Sequence, residues 1–322
     1  MAKKNNVLQS EIFPNQKPFI NNIITIILIT FFTFTSTPEN SFAEKASKKD
    51  SLKTYKKALT HTKRLRALKI ENGRIKIDGI LDEEEWENAE EAGDFIQHEP
   101  LDGMPATEKT VVKVLYDDEA IYIGVKAYDS DPSQIVSRLS RRDSYNCPSD
   151  WIRVGIDSYH DKRTAFEFDV NPCGVKRDLI WYDDTEVDSN WDAVWDVKTS
   201  INTDGWTAEF KIPFSQLRFA RNDGKNTWGF QVCREILRKN ELDFWNPVPK
   251  DADRIVSLFG ELTGIEHIPH VTHLEVMPYT VGSIETYADE DSDPYRDKPS
   301  GDARLGADLK YCLLYTSPSP RD

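Results

Sequence analysis

Residues 205–219 read GWTAEFKIPFSQLRF, and this stretch decides the fold. Trp206, Ala208 and Phe210 alternate with Thr207, Glu209 and Lys211, the period of two of a strand that buries one face. Pro213 ends the ladder because it has no N–H to donate to a neighbouring strand. Residues 214–219 then form a short amphipathic turn able to fold back over the sheet edge. A strand of this kind with a capping turn belongs in an antiparallel β-sandwich.

The pattern repeats outward from there. Residues 110–116 and 121–128 flank the turn Asp117-Asp118-Glu119-Ala120, with Ile121, Ile123, Val125 and Ala127 on one face. A second hairpin joins 151–157 to 164–170 around His160-Asp161-Lys162. Asn171-Pro172-Cys173-Gly174 is a strong turn signal, and strands fit 175–182, 194–199 and 228–236. Ordered structure is expected to begin at 74–77, with Asp78-Gly79 as a turn. Asp82 and Glu85, three apart, read as a capping box opening a short helix whose Trp86 is a buried staple. Trp206 and Trp228 read as core, Cys233 as a buried strand residue, Trp191 and Trp195 as core or rim packing, and Trp181 stays open. The character of the sequence changes near 258–262.

The chain has 322 residues, room for about two domains by the usual size prior. Its formal net charge of -14 argues against a nucleic-acid partner, whose phosphates would be repelled. Lys3, Lys4 and Lys17 precede an apolar run at 23–34, and Ser41-Phe42-Ala43 offers small residues to a signal peptidase. Residues 1–43 are therefore expected to be a secretory signal, and the Lys- and Ser-rich 44–70 a linker. Cys147, Cys173, Cys233 and Cys312 fit no metal spacing. Export would permit a Cys147–Cys173 disulfide, both lying in loops, although isolated thiols are the favoured reading.

Two segments together, IKIDGILDEEEW at 75–86 and GWTAEFKIPFSQLRF at 205–219, resemble the family 9 carbohydrate-binding module, a DOMON-like β-sandwich. They are most similar to the subgroup in which that module precedes an outer-membrane β-barrel, and the resemblance runs over about residues 70–311. It implies an all-β, antiparallel, jelly-roll-like β-sandwich at 71–266. The first strands of a truncated β-barrel would follow at 267–311, where LEVMPY at 274–279 and GADLKY at 306–311 match the barrel's opening. Residues 312–322, CLLYTSPSPRD, break the alternation and are expected to be non-native read-through. Outer-membrane association at the periplasm or cell surface is the implied location, with the membrane reached through the barrel.

Alternation also proposes a site. With Ile152, Val154 and Ile156 facing the core, Arg153, Glu167, Asp169 and Asn171 share an outward face. Forked polar side chains of this type can pair with vicinal sugar hydroxyls. The competing reading is a solvated face with a cross-strand Arg–Asp ion pair. The resemblance implies that Asn171 matches a sugar ligand, while Arg153 and Asp169 occupy ligand positions with different residue types. It also brings Trp245 in as one stacking wall. The second tryptophan of the family falls near Cys147, where Tyr145 would have to substitute. Carbohydrate is thus the expected partner, in support of carbohydrate catabolism, with no catalytic residue and no required cofactor.

Calcium is a weaker expectation. Asp183, Asp184, Glu186 and Asp188, with Asp192, supply oxygens in one loop but lack EF-hand spacing. His267, His270 and His273 read as a polar linker. Three alternatives stay open. A glycoside hydrolase needs a placed carboxylate pair, which the abundance of 55 acidic residues does not identify. A haem-binding redox domain would draw on Met104 or Met277 with His98. A docking domain of an outer-membrane protein would have no sugar site.

Overall fold

A computed structural model describes residues 62–219, 225–268, 274–285 and 300–311. The expected signal, most of the linker, His270, His273 and the 312–322 tail lie outside the described residues. The chain divides into two units, Met1–Pro269 and His270–Asp322.

Strands are numbered in chain order. In the first unit a nine-stranded sheet runs β1 (Arg64–Arg66), β14 (Gly260–Glu266), β12 (Lys225–Ile236), β6 (Trp151–Asp157), β7 (Ala165–Val170), β8 (Lys176–Tyr182) and β9 (Glu186–Asp188). β13 (Glu241–Phe244) also pairs with β12, and β3 (Ile96–Glu99) pairs with β13. A five-stranded sheet runs β10 (Asp196–Asn202), β11 (Gly205–Pro213), β5 (Ala120–Tyr128), β4 (Thr110–Tyr116) and β2 (Leu68–Lys69). Pairing is antiparallel except that β1 joins β14 and β2 joins β4 in parallel. The one α-helix among the described residues is α1 (Glu84–Asn88).

The all-β sandwich expected from alternation is the observed architecture. Trp206, Ala208, Phe210 and Ile212 of β11 and Ile121, Ile123 and Val125 of β5 are buried against the inner face of the larger sheet. That face offers Ile152, Val154, Ile156, Phe168, Phe230 and Val232. Trp195 bridges the layers: its ring stacks on Phe210 at 5.8 Å and meets Phe168 edge-on at 5.3 Å. Arg234 is buried between the sheets, yet its guanidinium donates to the carbonyls of Lys109 and Tyr128 and to Thr110 Oγ1. A buried arginine survives because those acceptors replace its water.

The two segments quoted for the family resemblance are physically joined. Glu209 Oε2 of β11 accepts from the backbone N–H groups of Asp78 (2.9 Å) and Gly79 (3.0 Å). Thr207 Oγ1 donates to the Gly79 carbonyl. Gly79 adopts φ +87°, and a Cβ there would stand 2.9 Å from the Thr199 backbone, so only glycine fits.

Three local expectations need correction. Residues 64–66 and 68–69, assigned to a linker, are strands, because short edge additions to a sheet need little apolar pattern of their own. Ordered structure, expected to begin at 74–77, is already present at β1, and 74–77 itself joins no strand. The Asp82/Glu85 capping box does not form: α1 starts after Glu83, with no side-chain cap. Glu83 Oε1 instead accepts from Lys76 N–H. Trp86 is nonetheless buried.

In the second unit β15 (Leu274–Glu285) and β16 (Ser300–Tyr311) make one antiparallel hairpin. Val276, Pro278, Thr280 and Ile284 share a face with Leu309, Ala307 and Leu305, without charge. Met277, Tyr279 and Val281 share the other with Asp308, Arg304 and Asp302. Ile284, Leu305 and Leu309 are 82 %, 88 % and 71 % exposed. No helix among the described residues is long and apolar enough to cross a membrane.

Candidate functional site

The outer face of the larger sheet carries its polar groups in register. Phe244, Cys233, Arg153, Asp169 and Arg177 lie side by side across β13, β12, β6, β7 and β8. The next row holds Gln231, Gly155, Glu167 and Leu179. Although Arg153 and Asp169 are cross-strand partners, each is paired elsewhere. Arg153 bonds Glu235, and Asp169 Oδ2 accepts from Arg177 Nε (3.1 Å) and Nη2 (2.8 Å). The Arg177 guanidinium is stacked between Trp151, at 3.5 Å from the ring centroid, and Tyr145, at 5.2 Å. Tyr145 is held there by its hydroxyl, which donates to the Asp178 carbonyl. Trp181 Nε1 donates to Glu167 Oε2.

This face is not open to solvent. Residues 244–259 run across it, placing Phe244, Ile255 and Phe259 over the polar rows. The Phe259 ring sits on Gly155, where a Cβ would come within 2.8 Å of it. A cavity of about 30 Å³ remains, lined by Arg153, Glu167, Trp181, Gln231, Cys233 and the covering rings. That is room for roughly one or two waters and far too little for a sugar ring.

Burial sets the protonation of the face. Glu167 is pushed up to about 8, first by loss of water and then by the adjacent Asp169 carboxylate, so it is neutral at pH 7. Asp169 is raised by burial, against the pull of Arg177 and Arg153. Burial pushes the Cys233 thiol well up. Arg153 Nε is buried without a hydrogen-bond partner, and Asp169 Oδ1 has no donor other than the protonated Glu167. The arrangement is a set of oriented donors and acceptors under an apolar cover, suited to holding hydroxyl groups.

Alternation brings Arg153, Glu167 and Asp169 together as expected, and Tyr145 joins them over Arg177. The outward orientation expected for Trp245 and Asn171 is corrected. Trp245 follows β13, one residue past the outward Phe244. Its ring turns inward, edge-on to Phe230 at 5.7 Å and against Gly260. Asn171 is fully buried. Its Nδ2 donates to the Arg138 carbonyl and Ser149 Oγ, while Oδ1 accepts from Cys173 and Val175 N–H. Leaving the strand at Val170 ends the alternation that pointed Asn171 outward, and the side chain closes a turn instead. The sequence reading missed Phe244, Phe259 and Arg177. The signal in reach was the strand LDF at 242–244, which puts Phe244 rather than Trp245 on the outer face.

The expected calcium loop is engaged otherwise. Asp183 pairs with Arg163, and Asp188 Oδ1 accepts from Asn190. Asp184 Oδ1 accepts from Ile255 and Ser257 N–H, and Oδ2 from Ser257 Oγ. Glu186 is exposed on β9. Among the described residues no three His, Cys, Asp or Glu side chains are grouped to hold a metal. His98 Nδ1 lies 2.8 Å from the Val248 carbonyl, its ring against Phe244. Cys147, Cys173 and Cys233 are free thiols.

A family 9 carbohydrate-binding module from Caldicellulosiruptor kristjanssonii in complex with cellotriose is similar at 21% identity. The match covers 62% of this chain and 92% of that one, with a TM-score of 0.44. The glucose complex of a family 9 module from the same organism matches at 19% identity over 62% and 94%, with a TM-score of 0.44. The search of curated proteins gives no match. The family described as carbohydrate family 9 binding domain-like matches residues 77–241, which contain the Asp78-Gly79/Glu209 clasp and the Arg153, Glu167 and Asp169 rows. Over that half of its length and with that architecture, the chain belongs to the carbohydrate family 9 binding domain-like family.

Proposed function

We propose that this chain binds carbohydrate on the outer face of its larger sheet, through Arg153, Glu167, Asp169 and Gln231, with Tyr145 and Phe244 as apolar walls. The observation that carries the reading is the in-register set of forked polar groups on a sheet of the family 9 architecture. Arg153 retains an unpartnered Nε, and a hydroxyl is donor and acceptor at once. Carbohydrate breakdown would be supported by binding, with hydrolysis left to other proteins.

Titration calorimetry on the full chain with glucose and cellotriose, the ligands named for the two similar modules, tests this. Binding should be measurable, and Tyr145→Ala or Arg153→Gln should weaken it by roughly 1–3 kcal/mol. Absence of binding to these sugars and to a broad glycan array at millimolar concentration would overturn the reading.

The same proposal places the chain at the cell envelope. Hairpin β15–β16 has 12 residues per strand, with one face free of charge at 276–284 and 301–309. That length and alternation suit a strand pair crossing an outer membrane, apolar side to lipid. The basic start and apolar run support export, and N-terminal sequencing of the exported protein should begin at Glu44. An N-terminus retained in the membrane would refute that cleavage.

A further inference from the structure

We propose that residues 247–259 are a latch that closes the outer face of the larger sheet, pinned by Asp184, and that ligand enters when this latch lifts. The inference rests on the reading of that face as the carbohydrate site. The latch leaves the sheet after Phe244 and rejoins it at Gly260, so both ends are anchored in strands. Between them it makes one short 3-10 turn, Val256–Leu258, and no strand pairing.

Four of its hydrogen bonds to the body converge on one residue. Asp184 Oδ1 accepts from Ile255 N–H at 3.1 Å and Ser257 N–H at 2.9 Å, and Oδ2 from Ser257 Oγ at 2.8 Å. The Asp184 carbonyl accepts from Val256 N–H at 3.3 Å. Asp184 makes these bonds from a left-handed backbone conformation, φ 73°, that a non-glycine residue rarely adopts. Three other polar contacts are spread along it, His98 Nδ1 at the Val248 carbonyl, a Lys250–Glu99 ion pair and Asn246 Nδ2 donating to the Leu258 carbonyl, and the rest of the hold is apolar. Val256 and Phe259 pack with Ala165, Leu179 and Trp181, and Ala252, Ile255 and Leu258 pack against Cys233, Leu242 and Phe244.

What lies beneath opposes closure. Ile255 and Phe259 of the latch lie against Arg153 and Glu167; Glu167 is buried there, Arg153 is mostly buried, and Arg153 Nε is left without a partner. Stripping water from ionisable groups without replacing it is unfavourable, so apolar contact on one side works against lost hydration on the other. An opening that rehydrates this row, or supplies it with sugar hydroxyls, relieves that penalty. The cavity left in the closed state admits no sugar ring, so binding on this face needs the latch to move.

Cys233 reports opening without any ligand, since it is buried and lines the cavity under the latch. In the full chain with Cys147, Cys173 and Cys312 changed to Ser, its rate of modification by methyl methanethiosulfonate should rise at least about tenfold on Asp184→Ala, the size expected for losing charged hydrogen bonds. Trp86→Ala, which weakens the fold from the other sheet, should leave that rate within about twofold. Equal acceleration by both variants, or none with Asp184→Ala, overturns the latch. If Asp184→Ala does not fold, hydrogen exchange on the unsubstituted chain decides. The Ile255, Val256 and Ser257 amides should exchange at least about tenfold faster than those of β6, and equal protection overturns the proposal. Faster Cys233 labelling with no binding of glucose or cellotriose leaves the latch standing and removes the carbohydrate reading. Cellotriose binding that is indifferent to Asp184→Ala and leaves Cys233 labelling unchanged keeps the carbohydrate reading and removes the latch.

Discussion

The two outer faces of the sandwich are covered by the same device on different ground. On the smaller sheet, residues 75–89 lie over β4, β5 and β11, and the Trp86 ring and Leu81 seat on Gly124 of β5. On the larger sheet Phe259 seats on Gly155 of β6. In each case a mid-strand glycine makes the depression that a ring fills, and a carboxylate accepts backbone N–H groups of the cover: Glu209 for Asp78 and Gly79, Asp184 for Ile255 and Ser257. The ground beneath differs. Trp86 rests among Ile75, Ala89, Leu115, Ala120 and Tyr122. Phe259 shares its cavity with Arg153 and Glu167. The first cover gains apolar burial over a single ionisable side chain, Glu209, whose Oε2 the cover's own N–H groups satisfy while Oε1 stays unpartnered, and so it stabilises the fold. The second gains it over ionisable groups, which makes it the face able to exchange its cover for a ligand.

The sharpest way to break this contrast is to remove each ring. Trp86→Ala should lower the free energy of unfolding by about 3–5 kcal/mol, measured by denaturant titration. Phe259→Ala should cost at most about half as much, because an irregular segment can settle into the space. Equal losses would mean that both covers are equally integral to the fold.

Filling the depressions gives a smaller effect of the same kind. Gly124→Ala places a methyl against Leu81 and the Trp86 ring at 2.9–3.0 Å, and should destabilise by about 1–3 kcal/mol. Gly155→Ala meets only the Phe259 ring within 3.0 Å. It should cost less than about 1 kcal/mol while speeding Cys233 labelling, since the latch is the part that yields.

The mildest test is the pH dependence of stability. Glu167 has its folded pKa raised to about 8, above the unfolded value near 4.5. The folded state therefore holds a proton that the unfolded state has lost, and stability contributed by that proton declines as pH rises from about 4.5 to 8. Glu167→Gln should gain in stability relative to the parent across this window and level off above it. Glu209, pushed up to about 7 by burial, should show the same sign with its window ending near pH 7. Thermal melts from pH 5 to pH 9 would show either slope, and a parent-minus-variant difference independent of pH would contradict the assignment.

Much of this could be read from period-two alternation, because side-chain direction in a strand is a local property. Trp206, Ala208 and Phe210, and Ile121, Ile123 and Val125, face inward as the pattern requires, and Arg153, Glu167 and Asp169 share the opposite face of their own hairpin. The rule fails where the chain leaves the ladder. Asn171 stands just past Val170 and turns in to close a loop, and Trp245 stands just past Phe244 and packs inward on Phe230. The parallel edge strands β1 and β2 escaped notice because their partners, not their own residues, make them strands.

Sequence alone determined the sandwich, its inner faces and the polar rows of the larger sheet, since each follows from neighbours along one strand. Whether those rows meet solvent was decided only in three dimensions. Nothing within 247–259 alternates or signals a cover, and the place of its Phe259 over Gly155 depends on Asp184 and Gly155, both from distant parts of the chain. A contact between residues far apart in sequence leaves no periodic trace in either, so an outward-facing row and a buried one read alike until the chain is folded.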